Sequence, residues 1–186
     1  MIPKKYILIF TLIIIQMNMK KYNKYLPTIP IYPDNEKEIL IVQKYVKDRS
    51  MNDISLFQKT DESIIYAFVD QVNESLQELN SIITSSHIIF FILFLKYSIN
   101  RARPKQIDPS LNSLKSNTAD TPAYPSGHAF QAYYLAKYLS NKYPHKKEVL
   151  DHIAEECAMA RVYAGLHFPS DNQFSRQMAD LLFYSL

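Results

Sequence analysis

The sequence predicts an all-α fold, a single-domain helical bundle, and three observations predict it. Apolar residues recur at helical spacing in segment after segment from Glu36 onward, and no stretch alternates apolar and polar residues as a strand would. A proline-rich break from Arg103 to Pro125 is followed at once by three more helical segments. The 186 residues, 47% hydrophobic and 21% charged, suffice for one domain with a real core. No internal repeat divides them.

The elements follow in order. At the N-terminus, lysines flank an apolar run from Tyr6 to Ile15. The run is shorter than the roughly 20 residues of a spanning helix and matches the apolar core of a signal peptide. No pair of small residues follows for cleavage. Three readings stay open: an uncleaved signal-anchor, an atypical signal peptide, or a buried element. Residues 1–24 are therefore set apart from a body spanning 25–186. "YLPTIPIYPDN" (Tyr25–Asn35) is punctuated by prolines and expected to be extended. "DESIIYAFVDQVNESLQELN" places Ile64, Ile65, Phe68, Val69, Val72, Leu76 and Leu79 on one stripe, with Glu62, Asp70, Glu74 and Glu78 mainly off it. That spacing predicts one amphipathic helix. "SIITSSHIIFFILFLKYSIN" is apolar on most sides from Ile88 to Leu95 and reads as a central buried helix. The break from Arg103 to Pro125 is a loop of about 20 residues, long enough to be functional. Helices are then expected over Ser126–Asn141, about Lys146–Gly165, and from Ser170 to near the end. Ala154, Ala158, Ala160 and Ala164 permit close packing.

Composition excludes some functions. The formal net charge of +3 is too small to argue for nucleic acid or an acidic partner. Cys157 is the only cysteine, so no intrachain disulfide or cysteine-rich metal site can form. Between alanines it reads as a small buried filler.

The chain has two glycines, where about 13 are ordinary at this length, at roughly 7% of residues. Gly127 and Gly165 each lie one or two residues before a histidine. In Pro125-Ser126-Gly127-His128, Ser126 is a candidate N-cap. A helix start offers unpaired N–H groups to an anion, Gly127 lets that anion approach, and His128 titrates near neutrality. The competing reading is a capped helix with a surface histidine. In "ARVYAGLHFPSD", Gly165 is placed to end the helix carrying Arg161. His167 follows, and Asp171, four residues on, is placed to fix its tautomer. The competing reading makes Asp171 a helix-start charge. Lys96 and Arg103 read alone as a snorkelling lysine and a solvated helix end, and Arg101 likewise as a solvated end. His87, His145 and His152 read as structural or exposed; Tyr124, Tyr133, Tyr134 and Tyr138 read as core packing. Together the segments supply three cations, an anion cradle, two histidines and one carboxylate. That set suits a phosphate dianion, a nucleophile and an acid, and does not suit zinc.

The pattern Lys96–six residues–Arg103-Pro104, then Pro125-Ser126-Gly127-His128, then Arg161–five residues–His167–three residues–Asp171 resembles the three-part signature of the type 2 phosphatidic acid phosphatase (PAP2) superfamily. The resemblance covers roughly Arg49 to the C-terminus and looks closest to the soluble bacterial class A acid phosphatases. It implies the following roles. Lys96, Arg103 and Arg161 clamp phosphate oxygens, with Ser126 and the Gly127 N–H completing the cradle. His167 attacks phosphorus and becomes a phosphohistidine, Asp171 orients it, and His128 protonates the leaving oxygen. No metal or other cofactor is implied; phosphate or vanadate are the expected occupants. The substrate is a phosphorylated small molecule or a lipid head group, including lipid phosphates and pyrophosphates, with no nucleic acid. A vanadium-dependent haloperoxidase would use the same pocket. Ala129 and Ala160 depart from the usual threonine and serine, which touches preference and rate. The expected location is periplasmic, extracytoplasmic or membrane-anchored through the N-terminal segment, and homo-oligomerisation is left open.

Overall fold

The structure, a computed structural model, describes residues 32–185. The boundary at residue 24 and the three readings of the N-terminal run lie outside the described residues. Helix starts are set by short polar side chains. The Asp34 carboxylate accepts from the Glu36 N–H and opens α1 (Asn35–Asp48). Ser50 and Asp53 form a reciprocal capping box at α2 (Met51–Thr60), and Ser75 and Glu78 form another at α4 (Leu76–Ile83). Between them lie a single turn, α3 (Ile65–Phe68), and a 3₁₀ turn, Val69–Gln71.

The single amphipathic helix expected over this region is thus broken in two. Val72 is extended, and the Ser75 cap starts a new helix. Ile64, Ile65, Phe68 and Leu79 still reach the core, but Leu76 is 43% exposed. Glu74, expected on the polar side, is buried and pairs with Lys142 and the Tyr143 hydroxyl. Capping chemistry outweighed a stripe that was continuous in sequence.

Helix α5 (Ser86–Ile99) ends at Asn100, whose φ of 53° is left-handed. It buries Ile88, Ile92, Leu95 and Lys96, while Leu93 is 38% exposed. It therefore packs on the bundle by one face and is not the central helix its composition suggested. No single described helix is long and apolar enough to cross a membrane. Leu76–Ile83 and Ser86–Ile107 pass that test only as a pair, bent by 45°. The expected loop after α5 contains one further turn, α6 (Pro104–Ile107), with proline at its start and the Gln106 side chain accepting from the Arg103 N–H.

The centre is α7 (Gly127–Lys142), which packs most extensively on α8 (Lys147–Tyr163) and α9 (Pro169–Tyr184). Ala129, Ala132 and Ala136 of α7, with Ala154 and Ala158 of α8, are fully or almost fully buried, so the helix axes approach closely. Phe130, Leu135, Leu139 and Leu150 complete this core with the α3–α5 residues. The expected boundaries of these three helices stand to within a residue or two. Tyr124, Tyr133 and Tyr134 are buried as expected; Tyr138, at 41% exposure, is not core. Cys157 is the buried filler anticipated, and burial pushes its thiol up to about 12. His87, His145 and His152 are exposed.

Smaller clusters flank one end of the bundle: Ile39, Val42, Val46, Leu111 and Phe168, then Phe57, Ala160, Ala164 and Leu166. They pin α1, α2 and the long loop against the α8–α9 link. The loop is also tied by backbone hydrogen bonds, Leu114 N–H to Ala164 O and Ala123 N–H to Arg101 O. All the polar segments singled out in the sequence meet at this end.

Candidate active site

Gly165 ends the α8 region with φ +72°, a conformation that favours glycine. A Cβ there would stand 3.1 Å from both Ser113 and Val46 side-chain atoms, so space and backbone both require glycine. The turn delivers His167 to the interior at 2% exposure. Its Nδ1 lies 3.1 Å from Asp171 Oδ2, and that oxygen also accepts from the Phe168 N–H at 2.8 Å. The Arg103 Nη1 donor lies 3.2 Å from His167 Nε2. Only one tautomer suits both neighbours: Nδ1–H donates to Asp171, and the Nε2 lone pair faces Arg103. Burial, followed by the charges of Arg103, Lys96 and Arg161, holds the imidazole well below its ordinary pKa. The contact with Asp171 is thus a hydrogen bond from a neutral ring, not an ion pair. Burial drives Asp171 up to about 7 against the pull of Arg101 and the Phe168 N–H.

The cations converge on the same place. Lys96 is 4% exposed and its Nζ turns inward to donate to Pro122 O, so it does not snorkel. Burial, then repulsion from Arg103, brings its pKa down to about 7. Arg103 donates to Thr121 O at 2.8 Å and Leu166 O at 3.0 Å, and burial lowers it to about 10. Neither Lys96 nor Arg103 has a carboxylate partner among the described ion pairs. Arg161, 1% exposed, donates to Asp61 Oδ1 at 2.8 Å, and its Nε is a buried donor with no protein partner.

Ser126 is fully buried; its hydroxyl oxygen accepts from the Ala129 N–H at 3.4 Å, the capping role expected of it. A Cβ on Gly127 would come 3.7 Å from Lys96 Cε, so its bare face looks towards that lysine. Nε2–H of His128 donates to the Asp61 backbone oxygen at 2.9 Å, which leaves Nδ1 as the remaining ring nitrogen. Burial, then the Arg161 charge, lowers His128 to about 3. All eight residues singled out in the sequence therefore lie at one end of the bundle.

Sequence reasoning missed others. Asp61, just past α2, holds Arg161 through its side chain and His128 through its backbone, and accepts from Ser116 at 2.6 Å. Its one signal was the helix end at Thr60, which says nothing of a partner 100 residues on. Arg101, expected at a solvated end, is 1% exposed and paired with Glu38 and Asp171. Among the described residues no group of three His, Cys, Asp or Glu is placed to hold a metal ion. A cavity of about 1160 Å³ lies between residues 97–106 and 113–122 and touches this set through Arg103 alone.

The PAP2 superfamily model matches residues 76–184, more than half of the chain. The chain belongs to the PAP2 superfamily. A solved transmembrane PAP2-type phosphatidylglycerolphosphate phosphatase from Bacillus subtilis is similar in fold, with a TM-score of 0.56 over 96% of this chain and 92% of that chain, at 18% identity. No curated protein matches the sequence. PAP2 membership was legible in the motifs. The narrower placement beside the soluble class A branch has no such support, because the similar structure is a transmembrane PAP2 protein.

Proposed function

We propose that the protein is a phosphatase that hydrolyses phosphomonoesters through a phosphohistidine on His167. One observation carries the reading: Lys96 and Arg103, two buried cations with no carboxylate partner among the described ion pairs, flank a neutral imidazole whose Nε2 lone pair faces Arg103. Burying such charges is costly without an anion to offset them, and their sum of two matches a phosphate dianion. The unpartnered Nε of Arg161 is a third donor for the same oxygens. Ser126 and the Gly127 N–H complete the cradle at the positive end of α7.

In the proposed sequence, Nε2 of His167 attacks phosphorus and the bond to the leaving oxygen breaks. Asp171 accepts the Nδ1–H hydrogen bond and stabilises the positive charge that develops on the ring. The leaving oxygen takes a proton from His128. Water then attacks phosphorus, the P–N bond breaks, and His128 recovers its proton. Burial and the Arg161 charge hold His128 neutral, and an incoming dianion favours its protonated form. Charge neutralisation falls to cationic side chains, so no metal is invoked.

The test is hydrolysis of a chromogenic phosphomonoester by the full chain. His167→Ala is expected to remove activity, wild type to yield an acid-labile phosphoenzyme on quenching, and a chelator to change nothing. Full turnover by the mutant overturns the mechanism. Halide oxidation with vanadate and peroxide, without phosphatase turnover, favours a haloperoxidase instead.

A second reading, a lipid phosphate or lipid pyrophosphate substrate, is favoured by the fold likeness to a transmembrane phosphatidylglycerolphosphate phosphatase and by the apolar α4–α5 pair. A membrane tether through the N-terminal run belongs with it. A panel of micellar lipid phosphates against nucleotide and sugar phosphates separates the two, and carbonate extraction of membranes tests the tether.

A further inference from the structure

We propose that Arg101 is a positioning residue which, balanced by Glu38, keeps Asp171 ionised and turned towards His167. This rests on His167 being the nucleophile. Arg101 leaves α5 through the left-handed turn at Asn100 and enters the interior. Its Nη1 donates to Asp171 Oδ1 at 2.6 Å and to Ser170 Oγ at 2.7 Å. Its Nη2 donates to Glu38 Oε2 at 2.7 Å, and its Nε to Asn35 Oδ1 at 3.0 Å. The guanidinium carbon sits 3.9 Å from the Phe168 ring centroid and 4.4 Å from that of Tyr32. Every guanidinium nitrogen is engaged, which separates Arg101 from Arg103 and Arg161: it has no role as a phosphate clamp.

The division of labour on Asp171 gives the purpose. Arg101 occupies Oδ1, so the carboxylate presents Oδ2 to His167 Nδ1 and the Phe168 N–H. A planar, multidentate cation fixes that rotation as an ammonium would not. Protonation of Asp171 would make it a donor, turn the imidazole to its Nε2–H form and remove the attacking lone pair. Burial favours that protonated form, and Arg101 is the foremost charge opposing it. The other groups facing Asp171 are Lys96, Arg103, His167 and the Tyr124 phenol. Glu38 pulls the other way. It is 5% exposed and anchored by the Ser170 N–H at 2.8 Å and the Ser170 hydroxyl at 2.7 Å, and it shares the Arg101 charge. The chain Glu38–Arg101–Asp171–His167 therefore joins α1 to the nucleophile.

The signs are opposite and testable. Arg101→Gln removes the charge that keeps Asp171 ionised, so the acidic limb of kcat moves to higher pH. At neutral pH kcat falls roughly 10- to 100-fold, as for loss of a charged hydrogen bond, while KM changes little because the phosphate clamp is untouched. Glu38→Gln leaves the Arg101 charge undivided, so the limb moves to lower pH. The nitrogen-15 shifts of His167 read the tautomer directly: Nδ1–H in wild type and Glu38→Gln, mixed in Arg101→Gln. Should Arg101→Gln not fold, Glu38→Gln alone carries the test. An unmoved or raised acidic limb in folded Glu38→Gln overturns the proposal, as does a wild-type His167 spectrum in folded Arg101→Gln. If wild type hydrolyses no phosphomonoester, the function above fails, while the imidazole spectra still decide the role of Arg101.

Discussion

Lys96 and His167 illustrate how little a residue's type says before its surroundings are known. Each is almost fully buried, and each is pushed towards its neutral form by burial and by neighbouring cations. His128 follows the same rule and has a consequence for stability. Its pKa falls from 6.5 to about 3 in the fold. Between those values the unfolded chain binds the extra proton, so neutral His128 contributes stability that is fully present above about 6.5 and lost as pH falls towards 3. Asp171, raised to about 7, acts in the opposite direction. The two are separated by difference: His128→Asn should show a shallower loss of unfolding free energy between pH 6.5 and 4 than wild type, in denaturant titrations at each pH. An unchanged slope would remove His128 from the acid response.

At the scale of elements, the α8–α9 link decides whether a site forms. Helix α8 ends at Tyr163, Gly165 turns left-handed, and α9 restarts with Pro169. Only this reversal brings His167 and Asp171 together within four residues. Gly165→Ala forces a side chain into a positive-φ position and against Ser113 and Val46 at 3.1 Å. The expected cost is about 2 kcal/mol or more, seen as a melting temperature lower by roughly 4–8 °C. Gly127 differs: a Cβ there meets neighbours at ordinary van der Waals distances, so the packing of the fold does not itself demand glycine. The break at Val72–Ser75 carries the complementary lesson. A periodic apolar stripe ran straight through it, but a Ser–Glu capping box is local chemistry that stops and restarts a helix regardless of the stripe.

Across the whole molecule, helices α7, α8 and α9 form the scaffold, while α1, α2, α6 and the long loop close one end over it. The cations buried at that end repel one another, so an oxyanion bound among them should stabilise the entire fold. Orthovanadate at 100 times its Kd is expected to add about 2.7 kcal/mol, read as a rise in melting temperature that is lost in Arg103→Met. No rise with vanadate or phosphate would count against an anion site of any kind.

The sequence by itself determined the helical class and the span of the three scaffold helices, and it singled out eight residues that the fold brings to one end. Each of these is carried by short-range information: helical periodicity, proline and glycine punctuation, and motif residues held at fixed spacing on helix ends. The tertiary structure alone decided that Arg101 is buried, that Glu38 and Asp61 serve residues 63 and 100 positions away, and that α5 packs by one face. Charge pairing across such separations depends on which helix ends meet in the folded chain. A lone arginine or glutamate has the same local appearance whether it faces water or a buried partner, and burial changes its energy only once the fold has formed.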